Sequence, residues 1–212
     1  MLLKTEASHR IELTAVFVTG ILKFVFMDWL MWRSFYIAGI CIIWLTYIFY
    51  RLSANKDILK HWGFKKEYFK PTLLLLTPLV FLSIIFSILY GHFNHSLFFT
   101  WQIIPVLLLY PAWGVLQQYL MLGIISNDLI EIFEAKVSRY LIVFIVSALF
   151  TLIHYPSLVL MAFTFFMEAV FIAVYLKWRN LWAIGIAHGW IATFLLYYVL
   201  ERNLWAELFG KF

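Results

Sequence analysis

Of the 212 residues, 65% are hydrophobic, 21% aromatic and only 13% charged, against roughly 25% charged in a soluble domain. With a mean hydropathy of +0.91, this excludes a soluble enzyme and predicts an all-α, polytopic transmembrane bundle, because in lipid only helices and closed barrels satisfy their own backbone. Apolar runs that are continuous rather than alternating exclude the barrel. The net charge of +5 does not call for nucleic acid. Arg51, Lys56, Lys60, Lys65, Lys66 and Lys70 all fall in one loop, the pattern of a cytoplasmic loop. The expected surroundings are therefore membrane lipids, with no nucleic acid as partner. The one cysteine, Cys41, cannot form an internal disulfide.

In chain order, the first apolar stretch, about Ile11–Trp32, contains Glu12, Lys23 and Asp28. It reads either as a first span or as an amphipathic helix lying in the interface. No cleavable signal peptide is expected there. Six firmer spans follow: Ser34–Tyr50, Pro71–Tyr90, Leu97–Ser126, Leu141–His154, Ser157–Leu176 and Leu181–Leu200. The bundle thus has six to seven membrane spans, with residues 1–33 as the N-terminal segment and 34–212 as the bundle. Placing Arg51–Lys70 inside also puts Lys136, Arg139, Lys177 and Arg179 inside, whereas Gly91–Ser96 and Tyr155–Pro156 have no Lys or Arg.

Strongly polar residues inside such spans mark function by default. Gln118 lies eight residues before Ser126, Glu168 eight before Leu176 and His188 eight after Asn180. At ~1.5 Å per residue each is roughly 12 Å from the cytoplasmic edge. His154 ends its span before Tyr155-Pro156, where a residue preceding proline leaves the helical region; it reads as a site residue or as an interfacial histidine bonded to a terminal carbonyl. His188 is flanked by Ala183, Gly185, Ala187 and Gly189, small residues that permit close helix approach. Gln117 and Gln118 point ~100° apart, so at most one faces a site directly, and interhelical hydrogen bonding competes with function. Pro105 and Pro111 are expected to kink their helix. Glu168 must be paired or protonated at its depth and suits general acid–base work, or else a structural salt bridge. His154, His188 and Glu168 could form a zinc set. His92 and His95 read as solvent-facing.

The motifs Gln117-Gln118-Tyr-Leu-Met-Leu122-Gly123, Phe150-Thr-Leu-Ile-His154 and His188-Gly-Trp-Ile-Ala192 resemble those of the CAAX-protease and bacteriocin-processing family of intramembrane proteases. That family has E-E-x-x-x-R-G, F-x-x-x-H and H-x-x-x-N at these places. The stretch Tyr175–Trp182 resembles its turn between the last two core helices, and Gly63-Phe-Lys-Lys resembles an upstream element. The resemblance implies a CAAX-protease-like core at about residues 97–200. It also implies peptide hydrolysis by a water that glutamates and histidines activate, without a cofactor. Both histidines carry over, whereas the two glutamates are glutamines, the arginine is Leu122 and the asparagine is Ala192.

The reading that follows is an intramembrane peptidase-like enzyme acting on a membrane-associated, prenylated or lipidated peptide. His154, His188, Glu168, Gln117 and Gln118 are its expected catalytic set, with Glu168 replacing the lost base. A catalytically silent membrane scaffold and a lipid-directed transferase are the alternatives. The expected location is the cytoplasmic membrane of a bacterium or archaeon.

Overall fold

The computed structural model describes residues 6–96, 98, 100–133 and 136–209. Among these, every regular element is helical. They are α1 (Glu6–Lys23), α2 (Arg33–Ala54), the single turn α3 (Ile58–His61), α4 (Phe69–Phe93), α5 (Ile103–Gln118), α6 (Asn127–Ile132), α7 (Arg139–Leu152), α8 (Leu158–Trp178), α9 (Leu181–Phe194) and α10 (Leu204–Phe209). Three π-helical stretches continue α1 (Phe24–Trp29), α5 (Tyr119–Ser126) and α9 (Leu195–Val199). Five helical segments, α2, α4, Ile103–Ile132, α8 and Leu181–Val199, are long and apolar enough to cross a membrane, and α7 is a shorter apolar helix. The protein is an integral membrane protein.

Four of the hydroxyls inside these apolar helices are satisfied locally. The hydroxyls of Thr77, Ser87, Thr164 and Thr193 each donate to the carbonyl four residues back, so they cost little in a waterless surrounding. Ser138 and Ser157 cap α7 and α8, accepting from the amides of Leu141 and Leu160.

The chain divides into two compact units. The first comprises the chain through Phe64 together with Tyr119–Leu181. Its centre is the second π-helical stretch, all eight residues of which are buried; α1, α7 and α8 pack on it. Helix α1 begins beside α6, where the His9 ring lies 2.8 Å from Asp128. It ends with the Lys23 ammonium donating to Asp28 at 2.6 Å and to the Tyr155 carbonyl at 3.4 Å. Between His9 and Lys23 it climbs roughly 21 Å, from the basic side of the bundle to the Tyr155-Pro156 turn. Among the described residues α1 is not one of the five segments long and apolar enough to cross a membrane. Its charges are paired: Glu12 accepts from Arg51 at 2.5 Å and also from the Tyr47 hydroxyl.

Two elements that resemble parts of one family also meet in this unit. Gly63 has φ +94°, and its carbonyl accepts from the Leu181 amide at 2.9 Å. A Cβ there would stand 3.0 Å from both the Arg179 carbonyl oxygen and the Tyr175 ring. Only glycine meets both demands. The fully buried Asn127 ties this corner together. Its amide nitrogen donates to the Gly123 carbonyl (3.0 Å), the Tyr175 hydroxyl (3.0 Å) and the His61 carbonyl (3.3 Å). Tyr175 in turn donates to the Trp62 carbonyl at 3.0 Å. With its amide nitrogen bonded in this way, Asn127 does not end the helix. The span expected to stop at Ser126 runs on to Ile132, and its expected start at Leu97 lies outside the described residues.

The second unit comprises Lys65–Gln118 and the chain from Trp182 onward. Helix α4 packs on the third π-helical stretch and α10 on α5, around a core of Val106, Leu196, Tyr197, Tyr198 and Leu204. Its end is closed by polar ties: Ser96 to the Tyr198 carbonyl (2.8 Å), Tyr197 to Asn203 (3.1 Å), and a two-point Arg202–Glu207 pair at 2.8 and 2.6 Å. Pro105 occupies the first turn of α5, where its missing N–H costs nothing, and the helix continues through Pro111.

Candidate functional site

Within the second unit, α5 and α9 touch backbone to backbone. A Cβ on Gly185 would stand 2.5 Å from Val115 Cα, one on Gly189 2.5 Å from Pro111 N, and one on Gly114 3.0 Å from Gly189 N. Three glycines at facing positions thus remove the side-chain layer that would hold the helices apart. One turn beyond that contact, the Gln118 amide nitrogen lies 3.1 Å from His188 Nδ1. Both side chains are buried, at 0% and 3% exposure. The amide nitrogen can only donate, so with the amide placed this way Nδ1 accepts, and the neutral ring carries its proton on Nε2. Gln117 is only half-buried, as the ~100° angular separation of adjacent helical residues requires. The first and third motifs therefore meet through Gln118 and His188.

His154, in the first unit, is half-buried two residues past the end of α7. Its Nδ1 lies 2.7 Å from the Phe150 carbonyl. A carbonyl only accepts, so Nδ1 carries a proton and the neutral ring presents the lone pair of Nε2. The same Phe150 packs edge-on against the imidazole, centroids 4.8 Å apart. The phenylalanine four residues before the histidine thus fixes both the ring's tilt and its tautomer. This is the terminal-carbonyl arrangement that the sequence offered as the plainer reading.

Glu168 lies on α8 with 0% exposure, on the same buried helix face as Thr164, Phe171 and Ile172. It belongs to the first unit with His154, while Gln117, Gln118 and His188 belong to the second. Leu122, where the resemblance has arginine, is fully buried in the second π-helical stretch. Ala192 packs against the core of the second unit. His92 and His95 are exposed. Among the described residues no group of three or more His, Cys, Asp or Glu side chains is placed to hold a metal ion.

Residues 99–194 match the family model described as Rce1-like, type II CAAX prenyl endopeptidase. This stretch is a CAAX-protease-like domain. All three motifs lie inside it. No curated protein and no solved structure matches the chain.

A polar cluster in the first unit went unread in the sequence. His9 lies 2.8 Å from Asp128 and 3.2 Å from Glu131, and His61 lies 3.1 Å from Glu131. Each of these residues falls in a segment that reads as a polar end or loop, so none stood out against apolar neighbours. The one available signal was spacing: Asp128 and Glu131 are i and i+3, one face of a helix.

Proposed function

We propose that this CAAX-protease-like domain hydrolyses a peptide bond in a prenylated or otherwise membrane-associated peptide, in the cytoplasmic membrane of a bacterium or archaeon. The observation that carries the reading is the 3.1 Å contact between Gln118 and His188, which joins the first and third motifs even though the glutamates of the first are gone. The roles follow from chemistry. Glu168 takes the proton of the attacking water, whose oxygen forms the new bond to the carbonyl carbon. His188, holding its proton on Nε2, donates to the carbonyl oxygen as charge develops there. His154, its Nδ1 committed to Phe150 and its Nε2 carrying a lone pair, passes the proton to the departing nitrogen as the C–N bond breaks. Gln118 keeps the His188 ring in that tautomer, and Gln117 orients water or substrate.

The test is cleavage of a prenylated CAAX peptide in proteoliposomes, followed by mass spectrometry. Glu168→Gln and His154→Ala should each lower the rate by about 10²–10⁴-fold, the usual contribution of a positioned acid or base. Undiminished cleavage by the Glu168→Gln protein removes Glu168 from the mechanism. A second reading is favoured by the fully buried Leu122 in place of arginine together with the two glutamines: a silent relative that binds a hydrophobic segment. It predicts no cleavage by the wild type and retained peptide binding in a folded His154→Ala, His188→Ala protein.

A further inference from the structure

His154 sits in the connection between α7 and α8, and one side of α1 touches the residues before and after it. Ahead of it, a Cβ on Gly20 would stand 3.7 Å from Ile153 Cγ2, so the backbone of α1 passes directly beside that side chain. Behind it, the Lys23 ammonium donates to the Tyr155 carbonyl at 3.4 Å. Gly20 and Lys23 are i and i+3, neighbours on one helix surface. All of these residues belong to the first unit, and α1 lies outside the stretch 99–194 that matches the family model.

Lys23 is itself aimed. Its ammonium donates to Asp28 at 2.6 Å and lies 4.3 Å from the centre of the Phe24 ring. In an α-helix, residues five apart point roughly 140° away from one another, so Asp28 would face away from Lys23 if α1 simply continued. The π-helical stretch Phe24–Trp29 changes this. Its bonds close over five residues, as from the Leu30 amide to the Val25 carbonyl at 2.9 Å, which brings the carboxylate round to the ammonium. None of the six residues of that stretch is buried, so core packing does not account for its altered pitch. The pair is partly exposed, at 21% and 39%, and adds little to stability as an ion pair. What it supplies is direction.

We propose that Lys23 is a positioning residue for His154. Held by Asp28, its ammonium fixes the Tyr155 carbonyl while Gly20 lets α1 close on Ile153. The turn between these two contacts then keeps the imidazole bonded to the Phe150 carbonyl, with Nε2 in one direction. The π-helical stretch serves this purpose by putting Asp28 where Lys23 needs it. The benefit to proton transfer rests on the hydrolysis proposed above; the holding of the ring does not.

The test labels the full-length protein in lipid nanodiscs with diethyl pyrocarbonate, which attacks the lone-pair nitrogen of a neutral imidazole, and reads each histidine by mass spectrometry. Lys23→Met and Asp28→Asn should each speed labelling of His154 by about two- to tenfold, the loss of one ordinary hydrogen bond, while the buried His188 labels at its wild-type rate. Lys23→Arg, which keeps a donor cation in reach of both acceptors, should label like the wild type. In cleavage of the prenylated peptide, Lys23→Met should lower kcat by a similar factor and leave KM unchanged. Unchanged His154 labelling in Lys23→Met overturns the proposal, as does a parallel rise at His188, which is general loosening, or Lys23→Arg labelling as fast as Lys23→Met. If Lys23→Met does not fold, the presence or absence of the rise in Asp28→Asn decides. A wild type that cleaves nothing counts against the hydrolysis alone, because labelling is read without turnover.

Discussion

The close approach of α5 and α9 is what brings Gln118 to His188, and one methyl group should undo it. In Gly185→Ala the new Cβ would stand 2.5 Å from Val115 Cα, and in Gly189→Ala 2.5 Å from Pro111 N. Both obstacles are backbone atoms, so no side chain can rotate away. Restoring ordinary contact near 3.4 Å parts the helices by about 0.9 Å. The same displacement stretches the Gln118–His188 contact from 3.1 Å to about 4 Å, past hydrogen-bond reach. Two effects should then separate. Overpacking costs about 1–3 kcal/mol, read as a lowered unfolding midpoint in micelles. The coupling between Gln118 and His188, measured by a double-mutant cycle with Gln118→Ala and His188→Ala, should be about 0.6–1.7 kcal/mol in the wild-type background. It should fall to about zero in the Gly185→Ala background. A coupling that survives Gly185→Ala would show that the glycine contact does not set the distance between these side chains, and would refute the argument.

Other outcomes are equally specific. Gly63→Ala combines a φ of +94° with a Cβ 3.0 Å from the Arg179 carbonyl oxygen, and should cost about 1–3 kcal/mol, measured by thermal unfolding. Arg51→Ala leaves Glu12, 3% exposed, without its cation and should destabilise by about 3–5 kcal/mol; the double change Arg51→Met, Glu12→Gln should be markedly milder in the same assay. At Asn127 the three contacts come from the amide nitrogen. Asn127→Asp, which turns an acceptor toward two carbonyls, should therefore unfold at lower denaturant than Asn127→Ala, which is itself less stable than wild type by about 1–3 kcal/mol. The reverse order would mean that the amide faces the other way.

Most of the helix plan was legible because hydropathy and loop charge act over windows of about twenty residues, long enough to average out single side chains. What the windows could not resolve were places where one residue's partners decide the outcome. Glu12 looked like an unanswered charge in α1, yet Arg51 and Tyr47 of α2 hold it. Asn127 looked like a helix end, yet it is a buried three-contact hub. Pro111 looked like a kink, and it lies against the glycine face of α9. In each case the sequence shows a polar or disruptive group and cannot show what answers it, because the partner is tens of residues away.

The same logic bears on the site. The spacing F-x-x-x-H carries its geometry locally, since residues four apart in a helix share a face. Phe150 can therefore fix the His154 tautomer without help from elsewhere. The pairing of Gln118 with His188 is different in kind. It depends on Gly114, Gly185 and Gly189 all lacking a side chain at once, a condition spread over two helices. A glutamine that has replaced an acid can keep the hydrogen bond to a histidine while giving up the proton chemistry. The three glycines keep that bond in reach, so this arrangement holds the orientation of the His188 ring without a carboxylate at position 118.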